Sequence, residues 1–203
     1  MWVAPDEAER IEAALRAAGS RSSGEIVCVL ARASARYETM PVVWSALIAM
    51  ALPWPLLIFT HQSAERIFLA QLAVFLVALG VLSLPRLRLS LTPRSVRRSN
   101  AHRVALEQFV IRGLTRSKER NTILIYVSLA ERYARIIADV GAAKAIGQDQ
   151  WKGIDDRLAD ELKAGSASEA LIGAAARCGD LLAKNFPPRP GAPAPTVQRF
   201  HAL

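Results

Sequence analysis

Asp139 has the strongest claim to chemistry in this sequence. It closes an apolar run, Tyr133 to Asp139, within the stretch Ala138-Asp139-Val140-Gly141. In open α/β sheets functional groups gather where strands end, so Asp139 is placed to hold a cation or a partner's basic group. The competing reading is an Asp that forms the turn before Gly141. Glu131-Arg132 fall at the tip of a turn between two expected strands, either as a solvated ion pair or as an exposed contact site for a partner. Thr115 and Arg116 close a helix and are offered as facing Asp139 across a sheet edge. Asp149, Asp155 and Asp156 surround the start of the Trp151 helix, where carboxylates serve the helix dipole and solvation rather than a metal.

The remaining reactive residue types form no constellation. His61, His102 and His201 lie in three separate regions, which is no ligand set. Cys28 and Cys178 are far apart and outside any C-x-x-C pattern, which argues against zinc and against a disulfide framework. Both read as small buried apolar residues. The sequence holds no phosphate-cradling glycine loop, no nucleophile elbow and no H-E-x-x-H.

These residues must be positioned by one small domain and an anchor, since 203 residues leave no room for two full domains and an anchor. Apolar residues make up 52% of the chain beside 22% charged ones, a mixture expected when the apolar residues are concentrated in one segment. That segment is evident. Val42 to Phe59 is apolar apart from Ser45, Pro53 and Pro55, and Ile67 to Leu84 is a second such run. Each is about 18 residues, roughly the minimum for a membrane-spanning helix. The short link from Thr60 to Arg66 forces an antiparallel hairpin. Neither run carries an ionisable residue, which disfavours an ion or proton pathway.

The flanks set the orientation. Arg32 and Arg36 precede the first run, and Arg86, Arg88, Arg94, Arg97 and Arg98 follow the second. The loop has only Arg66, offset by Glu65. The positive-inside bias predicts cytoplasmic termini. Met1 to Glu7 lacks the basic and apolar regions of a secretory signal, which agrees with a cytoplasmic domain. The net charge of +8 calls for a polyanionic neighbour. The juxtamembrane arginines predict anionic lipid headgroups as that neighbour. Nucleic acid is the weaker reading, because aromatic interleaving and a recognition motif are both missing.

Around the anchor, Pro5 with Asp6, Glu7 and Glu9 starts a helix that Gly19 ends, and Glu25 to Leu30 reads as a strand. Ser99 to Leu114 is predicted helical, Thr122 to Ser128 a central strand, and Tyr133 to Asp139 its antiparallel neighbour. Helices follow at Trp151–Leu162 and from the Ser166/Glu169 capping box to Leu182. The Pro-rich tail, 187–203, reads as disordered. The predicted fold is α/β: a small mixed β-sheet flanked by helices and interrupted by a two-helix transmembrane hairpin. Residues 1–40 give the first helix and strand, 41–85 the hairpin and 86–186 the rest of the domain. The anchor sits in the crossover between two parallel strands, so one end of the sheet is expected to face the membrane.

Several stretches together resemble the TPM domain family, in particular its bacterial integral-membrane branch. They are Ser34-Ala35-Arg36-Tyr37, Ala105-Leu106-Glu107-Gln108-Phe109, Gly113-Leu114-Thr115, Ile123 through Arg132, Ala138-Asp139-Val140-Gly141, Trp151, and Leu182-Ala183-Lys184-Asn185-Phe186-Pro187. Two features depart from the family pattern: Asn121-Thr122 stand where a glycine precedes the central strand, and the acidic cluster of a calcium site is thin. The resemblance implies a TPM-like fold. It also implies either an accessory role toward another membrane protein or phosphatase activity with bound calcium; for a phosphatase using calcium or magnesium, Asp139, from its place at a strand end, is the candidate catalytic and metal residue. The first is the expectation here, at the bacterial inner membrane, with Glu131, Arg132, Asp139 and Thr115 as the binding residues.

Overall fold

The structure, a computed structural model, describes residues 3–35, 37, 39–60, 63–116, 120–188 and 199–203. The chain divides into two compact units, Met1–Ser34 with Arg98–Leu203, and Ala35–Arg97.

The first unit is built on a four-stranded sheet in the order β3-β2-β1-β4, formed by β1 (Ile26–Ala31), β2 (Ile123–Ser128), β3 (Tyr133–Ala138) and β4 (Phe200–Ala202). β1 runs parallel to β2 and β4, while β3 returns antiparallel to β2 through the turn at 129–132. Side chains of successive strand residues point to opposite faces, so each strand feeds two cores. Ile26, Cys28, Leu30, Ile123, Ile125 and Val127 join the larger core with α1 (Pro5–Gly19), α8 (Gln148–Ala164) and α9 (Ala167–Asn185). Val27, Val29, Ala31, Leu124 and Tyr126 join the smaller one with Ala105 and Phe109 of α6 (Arg94–Ile111). Both faces of β1 and β2 are therefore covered, which is why these strands read as unbroken apolar runs. Each fully buried Ile or Leu contributes roughly 1.5–3 kcal/mol.

The predicted elements recur with shifted ends, and the mixed sheet flanked by helices stands. Three elements are additional. A short α7 (Val140–Ala145) follows β3 directly, a short α5 (Pro85–Ser90) precedes α6, and a single 3-10 turn covers Leu114–Arg116. The reading of 187–203 as a disordered tail is corrected at its end. Phe200–Ala202 form β4 beside β1, while 189–198 lie outside the described residues. What fixes β4 is the Glu12 carboxylate of α1, which accepts the N–H groups of Arg199, at 3.1 and 3.2 Å, and Phe200, at 2.7 Å. The buried Arg199 guanidinium donates to the Leu15 carbonyl at 2.8 Å. A sequence scan sees a proline-rich tail and has no means of seeing a carboxylate 187 residues away.

The second unit contains α2 (Thr39–Ala51), α3 (Pro53–Phe59) and α4 (Ala64–Leu82) besides α5. Pro53 interrupts the first apolar run, because proline has no N–H to donate back to the preceding turn. Thr39–Phe59 and Ala64–Leu82 are both long and apolar enough to cross a membrane, and only 11% and 6% of their most apolar windows are buried. A core helix of a soluble protein buries most of its surface, so these proportions speak against that role. α2 buries Pro41, Ser45 and Ala49, small residues at one-turn spacing, and the Ser45 hydroxyl is satisfied by the Pro41 carbonyl at 2.7 Å.

Candidate functional site

Asp139 caps α7. Its Oδ1 accepts the Val140 N–H at 2.7 Å, and its side chain is buried beside Arg120, whose Nε lies 2.8 Å from Oδ2 and 3.0 Å from Oδ1. The cation facing Asp139 is thus Arg120. Thr115 sits half-buried in the 3-10 turn, and the side chain of Arg116 lies outside the described residues. The expectation that Asp139 occupies the functional end of the sheet is corrected by the topology. β3 is antiparallel, so its carboxyl end meets the amino ends of β1 and β2, the opposite of the end where α/β sheets place ligands.

At the carboxyl ends of β1 and β2 a polar cluster replaces the exposed tip expected at Glu131-Arg132. Glu131 is only 6% exposed. Its carboxylate accepts the Ser34 N–H at 2.9 Å and the Ser128 hydroxyl, while the Ser34 and Tyr126 hydroxyls are 2.9 Å apart. Burial raises the Tyr126 phenol above its ordinary range, opposed by the Ser34 hydrogen bond and reinforced by Glu131. These bonds tie the Ser34 backbone to the hairpin turn, so Glu131 is a structural group and not a surface contact. Arg132, with φ at +49°, is exposed. The two members of the predicted pair therefore have different fates.

A concavity runs along the outer edge of β3. Its cavity volume is about 810 Å³, within the range of ligand sites. Ala134, Ile136 and Ala138 line it together with Trp151 of α8, and Arg98, His102, Arg132, Arg135 and Lys152 bring cationic or basic groups to it. Asp155 and Asp156 are the acidic members. The His102 Nδ1 lies 3.1 Å from the Tyr133 hydroxyl. Arg135 faces Asp155 at 3.6 Å. Among the described residues Arg98, Arg132 and Lys152 make no ion pair, and the buried indole N–H of Trp151 has no acceptor.

Of the predicted site residues, this groove brings together Arg98 and Arg132. Arg94 and Arg97 share the first turn of α6 with Arg98, whereas Arg88 lies on α5 and the Arg86 side chain is outside the described residues. Asp139, Glu131 and Thr115 are not among the lining residues. Sequence reasoning missed Arg135, Lys152, His102 and Trp151 as site residues. Trp151 was visible only as part of an apolar stripe, and pairing β3 with α8 and α6 is a tertiary event. For a divalent cation the donor set is a poor fit. No three His, Cys, Asp or Glu side chains converge among the described residues, and the Asp139 carboxylate is already held by Arg120 and Val140.

A small mixed α/β domain, interrupted by an apolar helical hairpin and grooved along its antiparallel edge strand, is the class of protein defined so far. Residues 89–181 match the model of the TPM domain. Among solved structures it is similar to the NMR structure of the BA42 protein from the psychrophilic bacterium Bizionia argentinensis, with a TM-score of 0.62, 16% identity, and coverage of 100% of this chain and 97% of that one. At that identity the likeness concerns the fold. No curated protein matches.

Proposed function

We propose that this protein is a membrane-anchored accessory protein of the bacterial inner membrane, in which the hairpin inserts and the TPM domain docks another membrane protein from the cytoplasmic side. The observation that carries this reading is the groove along β3, with unpaired cations at its rim and an apolar floor of Trp151, Ile136 and alanines. Such a surface is suited to recognition, with steering by charge and affinity from buried aromatic area. Arg86, Arg88, Arg94, Arg97 and Arg98 add contact with anionic headgroups, each worth about 1 kcal/mol near a charged surface.

The test is site-specific photo-crosslinking in membranes from Lys152, in the groove, and from Arg157, exposed on the same helix outside it. A discrete membrane-protein adduct from Lys152 and none from Arg157 supports the reading. Adducts from both positions, or from neither, remove it. The alternative is a metal-dependent phosphatase centred on Asp139. It requires phosphate release that depends on calcium or magnesium and is lost in Asp139→Asn. The engagement of that carboxylate with Arg120 and the α7 amino end weighs against it.

A further inference from the structure

We infer that the groove accepts an extended, acidic protein segment, which adds as a fifth strand on the outer edge of β3. The inference deepens the docking reading above and rests on it for the identity of the working surface.

The backbone supplies the first argument. In the β2–β3 register Thr122 stands opposite Asp139, and the Asp139 N–H bonds the Thr122 carbonyl at 2.9 Å. Antiparallel pairs alternate between bonded and non-bonded, so Ile137, Arg135 and Tyr133 also turn their backbone polar groups toward β2. Those of Ala134, Ile136 and Ala138 point the other way, into the groove that these same residues line. The Ile136 N–H confirms the direction, because it is answered by a side chain of α8, the Asp155 carboxylate at 2.7 Å. One edge amide thus already holds a carboxylate oxygen where a partner strand would present a carbonyl. The edge is long enough for roughly six extended residues.

Charge decides what kind of segment fits. Arg98, Arg132, Arg135 and Lys152 face two carboxylates, and among the described residues Arg135 alone of the four forms an ion pair with one of them. The buried Trp151 indole N–H is a further donor without an acceptor, while the exposed Asp156 carboxylate is left to the solvent and the neighbouring cations. A basic segment would meet repulsion here, and a neutral one would leave three cations unanswered. An alternating acidic and apolar strand satisfies the surface on both counts. Its backbone ladders with Ala134 and Ala138, its apolar side chains meet Trp151, and its carboxylates reach the rim. Asp155 is then a plug, protecting an otherwise sticky edge until a partner strand displaces it.

The experiment uses the full chain in neutral phosphatidylcholine nanodiscs and a fluorescent peptide of alternating glutamate and valine. Binding should weaken about ten-fold in Arg98→Glu/Lys152→Glu while Arg157→Glu leaves it unchanged, and should strengthen in Asp155→Ala. A peptide of the same charge with proline at alternate positions cannot ladder and should bind about ten-fold more weakly. Equal binding of the proline peptide would reduce the site to diffuse electrostatics and overturn the inference. So would undiminished binding in Arg98→Glu/Lys152→Glu, which would place the peptide outside the groove. If the peptide binds as described but Lys152 yields no adduct in membranes, the strand-addition site stands and the accessory role falls. An adduct without peptide binding reverses that outcome.

Discussion

The Asp155 carboxylate of α8 accepts the backbone N–H of Ile136, in the middle of the edge strand, at 2.7 Å. The bond ties a helix to a sheet edge. Burial raises the Asp155 carboxyl above its ordinary range, opposed by the Ile136 N–H and by Arg135 and reinforced by Asp156. The folded chain therefore holds this proton to higher pH than the unfolded chain does. Stability contributed here falls as pH climbs from the ordinary carboxylate range to the raised folded value. Asp155→Asn keeps an acceptor for Ile136 without that loss. Its thermal midpoint, relative to the parent protein, should rise across this window, and a difference that stays flat with pH would count against the argument.

Arg120 and Asp139 form a pair with unequal exposure, the carboxylate buried and the guanidinium about half in solvent. Arg120 also has φ of +54°, so Arg120→Asn removes the charge while tolerating the backbone. It strands a buried carboxylate and should cost about 1–3 kcal/mol, at the low end of buried pairs because solvent screens the arginine. Asp139→Asn preserves the cap on α7 and should cost less. Denaturant midpoints of the two variants check the order, and equal losses would count against a stranded carboxylate as the source of the larger cost.

Gly19 ends α1 beneath Arg199, and a Cβ there would lie 2.0 Å from the guanidinium Nη1. Helix propensity alone predicts that Gly19→Ala stabilises by up to about 1 kcal/mol. The contact predicts the opposite, because Arg199 must leave the Leu15 carbonyl and loosen β4. Hydrogen exchange at Cys28, whose N–H bonds the Arg199 carbonyl at 2.7 Å, should accelerate relative to Leu124 on the far side of β1. Unchanged exchange with a gain in stability would sink this account.

Cys28 and Cys178 are free and fully buried, as their sequence context predicts. Burial pushes the Cys178 thiol up to about 12 and raises Cys28 as well, so neither forms appreciable thiolate at neutral pH. Iodoacetamide should leave both unmodified in the native protein and alkylate both in denaturant. Native labelling at either position would contradict the packing of the larger core.

Those inert thiols make the chain a clean background for topology mapping. Ser63→Cys, before α4, should react with a membrane-impermeant maleimide added outside spheroplasts, and Ser90→Cys, at the end of α5, only after the membrane is opened. Labelling in the reverse pattern would invert the orientation read from the arginine flanks.

What the sequence determined by itself is whatever depends on local pattern. The two apolar runs, the β-branched central strand, the Ser166 cap of α9 and the Gly19 stop of α1 are all written in spacing of a few residues. From these the class of fold follows. Glu131 and Arg132 show where such reading ends. Adjacent in sequence and alike in polarity, they differ in fate because Ser34 and Ser128 converge on one and nothing buries the other. The end of the sheet reached by Asp139 likewise depended on the direction of β3, and β4 on Glu12 reaching across the fold. The groove is the clearest case. Its cations and its tryptophan come from α6, the β2–β3 turn, β3 and α8, elements that meet only when both faces of the sheet are covered. Burial and long-range pairing, which no local pattern encodes, decided the site.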